Sequence, residues 1–201
     1  MDFYFNRKEL TTLRDALHPR IAEYKKGENI LLSEKYFYIL LSGIVYHCAE
    51  DELYERSILR FIRAGEPFSS ETPLEIYNGI HYLNAKQNST AAVFSHHELN
   101  LYLYDRPLWR ERFNEVSEIG LKERTLKLNY ILHRRTIRSR LLSFLRDESK
   151  IQQSDKIHIP IPFIDLADYL AVERTALMKE IGKMKSDGII SGKNRDIMLL
   201  V

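Results

Sequence analysis

The sequence predicts an α+β fold, with a small β barrel or sandwich first and a helical part ending in a β-hairpin after it. Three observations carry this prediction. Short segments rich in β-branched and aromatic residues recur about 8–14 residues apart as far as Tyr104. At Arg106-Pro107 the pattern changes to helical spacing. The charge divides at the same place: residues 1–104 hold 11 Lys and Arg against 14 Asp and Glu, net −3, and residues 105–201 hold 19 against 14, net +5. The whole-chain value of +2 conceals two unlike parts.

The β elements begin with Tyr36–Tyr46, dense in aromatic and β-branched residues, with Ser42-Gly43 supplying turn chemistry. Ser57–Arg63 is a second strand and ends at the loop signal Ala64-Gly65-Glu66-Pro67. Ile80–Leu83 and Ser89–Phe94 are two more, and Glu98–Tyr104 alternates strictly enough to be read as another. From Leu108 to about Arg135 a helix is expected. Trp109, Phe113 and Val116 step by 4 and 3, and Ile119, Leu126, Tyr130, His133 and Ile137 by 7, 4, 3 and 4. That stripe outlasts the ~11–12 residues of an average helix, as a helix pairing with its own copy would. An ordinary core helix lying on the β part is the alternative. Next come a helix at Thr136–Asp147, a polar loop at Glu148–Lys156, a short strand from Ile157, helices at Ile164–Leu170 and Arg174–Ser186, and a hairpin turning at Gly192–Arg195.

The composition excludes several classes. With 44% hydrophobic and 29% charged residues over 201 positions, the chain can bury a core. One cysteine, Cys48, excludes a disulfide framework and any single-chain cysteine cluster for zinc or iron–sulfur. The longest stretch without Asp, Glu, Lys or Arg, Tyr36–Ala49, is too short to span a bilayer, and the start MDFYFNRKEL lacks signal-peptide character. A cytoplasmic protein with no membrane partner is expected. His47-Cys48, His81 and His96-His97 are weak metal or haem candidates, since adjacent histidines on a strand point to opposite faces. No cofactor is expected. The β part has no nucleophile–base signature and no glycine-rich phosphate loop, so an enzyme is not expected either.

The order of elements over 136–201 is that of a winged helix-turn-helix. In its last helix Leu177, Ile181 and Met184 form a buried stripe, while Arg174, Thr175, Met178 and Lys179 project together from another face. A major groove ~12 Å wide admits such a helix, and an arginine near its start pairs two-pronged with guanine. Arg174, Thr175, Met178 and Lys179 are therefore the candidate base contacts, and Lys183, Lys193 and Arg195 the candidate phosphate contacts. A regulatory module whose winged helix binds protein instead of DNA stays open.

The run Phe163–Ile181, followed by Met184-Lys-Ser-Asp-Gly-Ile-Ile, resembles the DNA-binding signature of the Crp/Fnr family of bacterial transcription regulators. Tyr36–Gly43 resembles the opening of that family's β-roll, and Gly65-Glu66-Pro67-Phe68 its "GDxF" corner. The resemblance implies a cyclic-nucleotide-binding-like β-roll of the double-stranded β-helix or jelly-roll kind over 1–105, a dimerisation helix and hinge over 106–135, and a winged helix-turn-helix over 136–201. It also implies a homodimer on a twofold-symmetric double-stranded DNA operator, an effector, and contact with RNA polymerase in an activator. Trp109, Phe113, Val116, Ile119, Leu126 and Tyr130 are then the dimer contacts. The family's base-reading arginine maps onto Arg174, and its second onto Lys179, a point charge in place of a planar fork. Ala171 stands where the family has its turn glycine, and Glu173 where it has an N-cap serine. For the effector pocket the resemblance points to Glu71, Ser89 and Thr90. No Arg or Lys lies between Lys86 and Arg106, where a cyclic phosphate would need one, so a response to cyclic AMP is not expected.

Overall fold

The computed structural model describes residues 4–53, 56–69, 80–118 and 133–200. Glu71, Ile119, Leu126 and Tyr130 lie outside the described residues. The chain forms two compact units, Met1–Glu123 and Arg124–Val201.

The first unit opens with helix α1 (Arg7–Leu17), started by a capping box in which Asn6 and Glu9 satisfy each other's backbone N–H. Eight strands follow: β1 (Arg20–Tyr24), β2 (Asn29–Ile30), β3 (Tyr36–Ser42), β4 (Val45–Glu50), β5 (Arg56–Ile62), β6 (Pro67–Phe68), β7 (Ile80–Ala85) and β8 (Ser89–Ser95). They pair antiparallel in two four-stranded sheets ordered β1-β8-β3-β6 and β2-β7-β4-β5, the roll expected from the sequence. Between the sheets Ala22, Tyr38, Leu40, Phe68, Ala91 and Val93 meet Ile30, Val45, Ile62 and Ala85. Alternation sends Ile39, Ala92 and Phe94 the opposite way, into a second core with Phe5, Leu13, Leu99, Phe113 and Val116. The sheet containing β3 is thus covered on both faces, which is why the run Tyr36–Leu41 is continuously apolar instead of alternating. Gly43 (φ +93°) lets β8 approach closely, since a Cβ there would stand 2.1 Å from Ser89 Oγ.

Glu98–Tyr104 is not a strand. It belongs to helix α2 (His96–Tyr104), which buries Leu99 and packs Tyr102 and Leu103 into the second core. Leu99, Tyr102 and Leu103 stand at i, i+3 and i+4, so seven residues satisfied both periods and packing chose the helical one. His96 and His97 accordingly sit in the first turn of a helix, not on a strand.

Helix α3 (107–118) lies against the roll of its own unit. Phe113 and Val116 are buried there, with the Phe113 ring 4.8 Å from Phe5 and 5.6 Å from Phe37. Arg112 reinforces the docking by donating to Glu9 at 2.8 Å and to the Tyr4 carbonyl at 2.7 Å. Phe113 and Val116 are therefore core residues of their own unit, while Trp109 is half-buried. A helical stripe does not reveal whether its own domain or a partner covers it.

In the second unit α4 (Ile137–Gln152) is followed by β9 (Lys156–His158), α5 (Phe163–Tyr169), α6 (Arg174–Ser186), β10 (Ile190–Lys193) and β11 (Asp196–Leu199). The strands form a sheet ordered β10-β11-β9. Leu141, Phe144 and Leu145 of α4, Leu166, Ala167 and Leu170 around α5, and Leu177, Ile181 and Met184 of α6 are all buried. Helix α4 runs beyond Asp147 as far as Gln152, taking up the first half of the segment read as a polar loop. Glu148 is buried and accepts from Gln152, whose side chain also bonds both backbone groups of His158 at 2.9 Å. Side-chain bonds to β9 keep this polar sequence helical.

Candidate nucleic-acid interface

Helix α6 is positioned by its start and its stripe. Glu173 at the N-cap accepts from the backbone N–H of Thr175 at 2.8 Å and of Ala176 at 2.7 Å. Those two bonds hold its carboxyl below the usual range. Both oxygens face the helix backbone, not the neighbouring Arg174. Ala171 adopts φ +51°, the left-handed conformation that glycine takes without strain. The turn it makes is fastened by Arg140, whose guanidinium donates to the carbonyls of Leu170 (3.0 Å) and Ala171 (2.9 Å) and to Arg134 O. Arg138 is likewise occupied, bonding Glu180 at 2.5 Å and Asp187 at 2.7 Å, and these partners raise its pKa. Of the arginines around 134–140, these two hold the unit together. Sequence reasoning missed that role, because apart from Arg134 O their partners are 30 to 49 residues away in sequence.

Arg174, Thr175, Met178, Lys179 and Lys183 are all exposed on α6, opposite the buried Leu177, Ile181 and Met184. The two acids nearest this face, Glu173 and Glu180, are engaged by backbone N–H groups and by Arg138. The outward face therefore presents cations with no competing carboxylate on the same helix, around the apolar Met178. At the wing tip Lys193 is exposed, whereas Arg195 is half-buried and donates to Pro160 O at 3.2 Å. Lys185 donates to Gly192 O at 2.8 Å and ties the wing to α6.

The first unit holds a cavity of about 410 Å³, and its lining differs from the residues picked for an effector. Ser89 is buried and donates to Gln87 O, and Thr90 shares a hydrogen bond with Ser42; neither lines the cavity. Its walls come from β2, β4, β5, β7 and Phe68, with His47, Arg60 and His81 among them. Among the described residues no group of three or more His, Cys, Asp and Glu is placed to hold a metal. Cys48 is fully buried, which removes the exposed thiolate that redox sensing requires.

No family model matches the sequence, and no curated protein matches it. Solved structures do match, across both units. The chain is 18% identical to FixK2 from Bradyrhizobium japonicum, with a TM-score of 0.69 over 91% of this chain and 93% of that one. It is 17% identical to a CooA mutant from Carboxydothermus hydrogenoformans, with a TM-score of 0.75 over 99% and 94%. It is 22% identical to TTHA1359, a CRP/FNR-family transcriptional regulator from Thermus thermophilus, with a TM-score of 0.60 over 90% and 94%. The fold is that of the CRP/FNR regulators, a β-roll followed by a helix-turn-helix.

Proposed function

We propose that the chain is a homodimeric, sequence-specific DNA-binding transcription regulator of the Crp/Fnr type. The observation that carries this is the exposed face of α6, where Arg174, Thr175, Met178 and Lys179 stand together and the nearby acids are engaged elsewhere. Arg174 reads guanine through its planar fork, Met178 meets a thymine methyl, and Lys179 supplies charge. Lys183 and Lys193 meet phosphates, with Arg195 contributing its remaining donors beside the bond to Pro160. Two such helices in a dimer would address half-sites about 34 Å apart. The dimer contacts are the stripe Trp109, Phe113, Val116, Ile119, Leu126 and Tyr130, of which Phe113 and Val116 also serve the core of their own unit and the last three lie outside the described residues.

The roll acts as the sensing part and takes an effector other than cyclic AMP, because the cation that a cyclic phosphate needs has no counterpart around Ser89 and Thr90. The protein works in the cytoplasm without a membrane partner; among the described residues no helix is long and apolar enough to cross a membrane. As an activator it would also touch RNA polymerase. A mobility-shift titration with the DNA upstream of its own gene tests the central reading. A shift that weakens on replacing Arg174 with alanine is expected. No shift by the wild-type protein at low salt would overturn the proposal.

A further inference from the structure

Helix α6 carries a methionine on each of two faces, and their surroundings differ. Met184 is fully buried in the stripe with Leu177 and Ile181, whereas Met178 is 41% exposed among the cations of the outward face. One turn further along that face stands Gly182, and a Cβ there would meet nothing within 4 Å, so no side chain covers Met178 from that side. Of the other sulfur-bearing residues among those described, Cys48 is fully buried and Met198 is half-buried on β11. Met178 therefore presents the sulfur most open to a dissolved oxidant.

The chemistry of a thioether gives that exposure a consequence. With hydrogen peroxide, a sulfur lone pair attacks one peroxide oxygen and the O–O bond breaks. The sulfur gives up two electrons and keeps the oxygen, and the other oxygen leaves as water after proton transfer. The sulfoxide so formed turns an apolar side chain into a polar one with a strong hydrogen-bond acceptor. At position 178 the change acts in two ways. It replaces the apolar contact with a thymine methyl by an oxygen that has to be desolvated. It also sets an acceptor beside Arg174, because positions 174 and 178 share a face and a helical side chain leans back over the preceding turn. Glu173 and Glu180 are engaged elsewhere, and no partner holds Arg174 among the described residues. The sulfoxide oxygen would then draw the guanidinium away from guanine.

We propose that Met178 is a reversible oxidation site, through which a peroxide switches off reading of DNA by α6. Reduction by a thiol-dependent methionine sulfoxide reductase removes the oxygen as water, while two thiols become a disulfide, and restores the apolar face. Leucine at this position would meet a thymine methyl equally well but could not be switched. The proposal rests on α6 reading DNA, and it assigns that same site a form of regulation.

The test treats the full chain with hydrogen peroxide, free and with upstream DNA already bound, following each methionine by peptide mass spectrometry and DNA affinity in parallel. Met178 should be oxidised ahead of Met184 and Met198, and bound upstream DNA should slow its oxidation. The oxidised protein should bind upstream DNA at least about tenfold more weakly, with much less change on unrelated DNA. Methionine sulfoxide reductases acting on both sulfoxide epimers should restore the affinity. Met178→Leu should bind within about threefold of wild type and lose no affinity on peroxide treatment. Met178→Gln, a permanent polar acceptor at that place, should bind weakly without oxidant. Oxidation of Met184 or Met198 first, undiminished binding by the sulfoxide form, or a Met178→Leu protein as sensitive to peroxide as wild type would each overturn the proposal. The order of oxidation is read on wild-type protein, so it stands whatever the variants do. Untreated protein that binds no DNA would refute the regulator reading, while Met178 oxidised first in that preparation would still support the assignment of the site.

Discussion

Replacing Ala171 with glycine should leave the second unit as stable or make it more stable, against the usual direction of Ala→Gly changes. Ala171 holds φ +51° in the turn between α5 and α6. A left-handed conformation costs an L-residue about 1–2 kcal/mol, and glycine removes that cost. Glycine also loses more freedom on folding, about 0.4–1 kcal/mol. The Ala171 side chain is exposed, so its removal opens no cavity. The balance favours Ala171→Gly by about 0.5 kcal/mol, or roughly 2–4 °C of Tm for a unit of this size. Ala167→Gly is the control: that residue is buried in α5, and the change should cost about 1 kcal/mol or more. Gly188→Ala is the reverse test, since Gly188 has φ +71° and open space around it, and should cost about 1 kcal/mol from backbone strain alone. Thermal unfolding by circular dichroism reads all three. A loss of stability for Ala171→Gly matching that of Ala167→Gly would refute the strain argument.

Phe113→Ala should destabilise the first unit by about 3–5 kcal/mol in urea unfolding, as for a buried core aromatic; an unchanged midpoint would return Phe113 to the surface. Glu173 has its pKa lowered by the N–H groups it caps, so its carboxylate stabilises the native state above the unfolded-state pKa, and that contribution is lost as pH falls through the lower folded-state value. The Tm difference between wild type and Glu173→Ala should therefore be present at neutral pH and shrink through the acid range; a difference that grows on acidification would contradict the cap. Upstream DNA synthesised with uracil in place of thymine lacks only the methyl groups, and losing one apolar contact of about 0.8 kcal/mol predicts roughly fourfold weaker binding. Met178→Ala should be insensitive to that exchange, and equal sensitivity in both proteins would remove Met178 from readout.

The fold class was legible because its cues are local. Helix α6 has the predicted bounds, Arg174–Ser186, since a capping carboxylate precedes a clean i, i+4, i+7 stripe. The wing was legible from Gly192 to Asp196 for the same reason. What failed were segments where two periods fit or where packing decided. Glu98–Tyr104 fitted strand and helix alike, and packing of Leu99, Tyr102 and Leu103 chose the helix. The pattern singled out nothing before Tyr36, although the Asn6 and Glu9 cap of α1 is a local cue. The cavity was invisible for a deeper reason. His47, Arg60 and His81 share no spacing in sequence, and only the register of β4 against β5 and β7 brings them together.

The measurement that tests the central claim most directly is binding of wild-type protein and Arg174→Ala to upstream and to unrelated DNA across a salt series. The account predicts that wild-type affinity falls steeply with salt on both DNAs. It further predicts that Arg174→Ala weakens binding to the upstream DNA by about 1–3 kcal/mol, roughly 5- to 150-fold, while leaving unrelated DNA much less affected. Binding that ignores salt, or an Arg174→Ala protein that separates the two DNAs as well as wild type does, would contradict it.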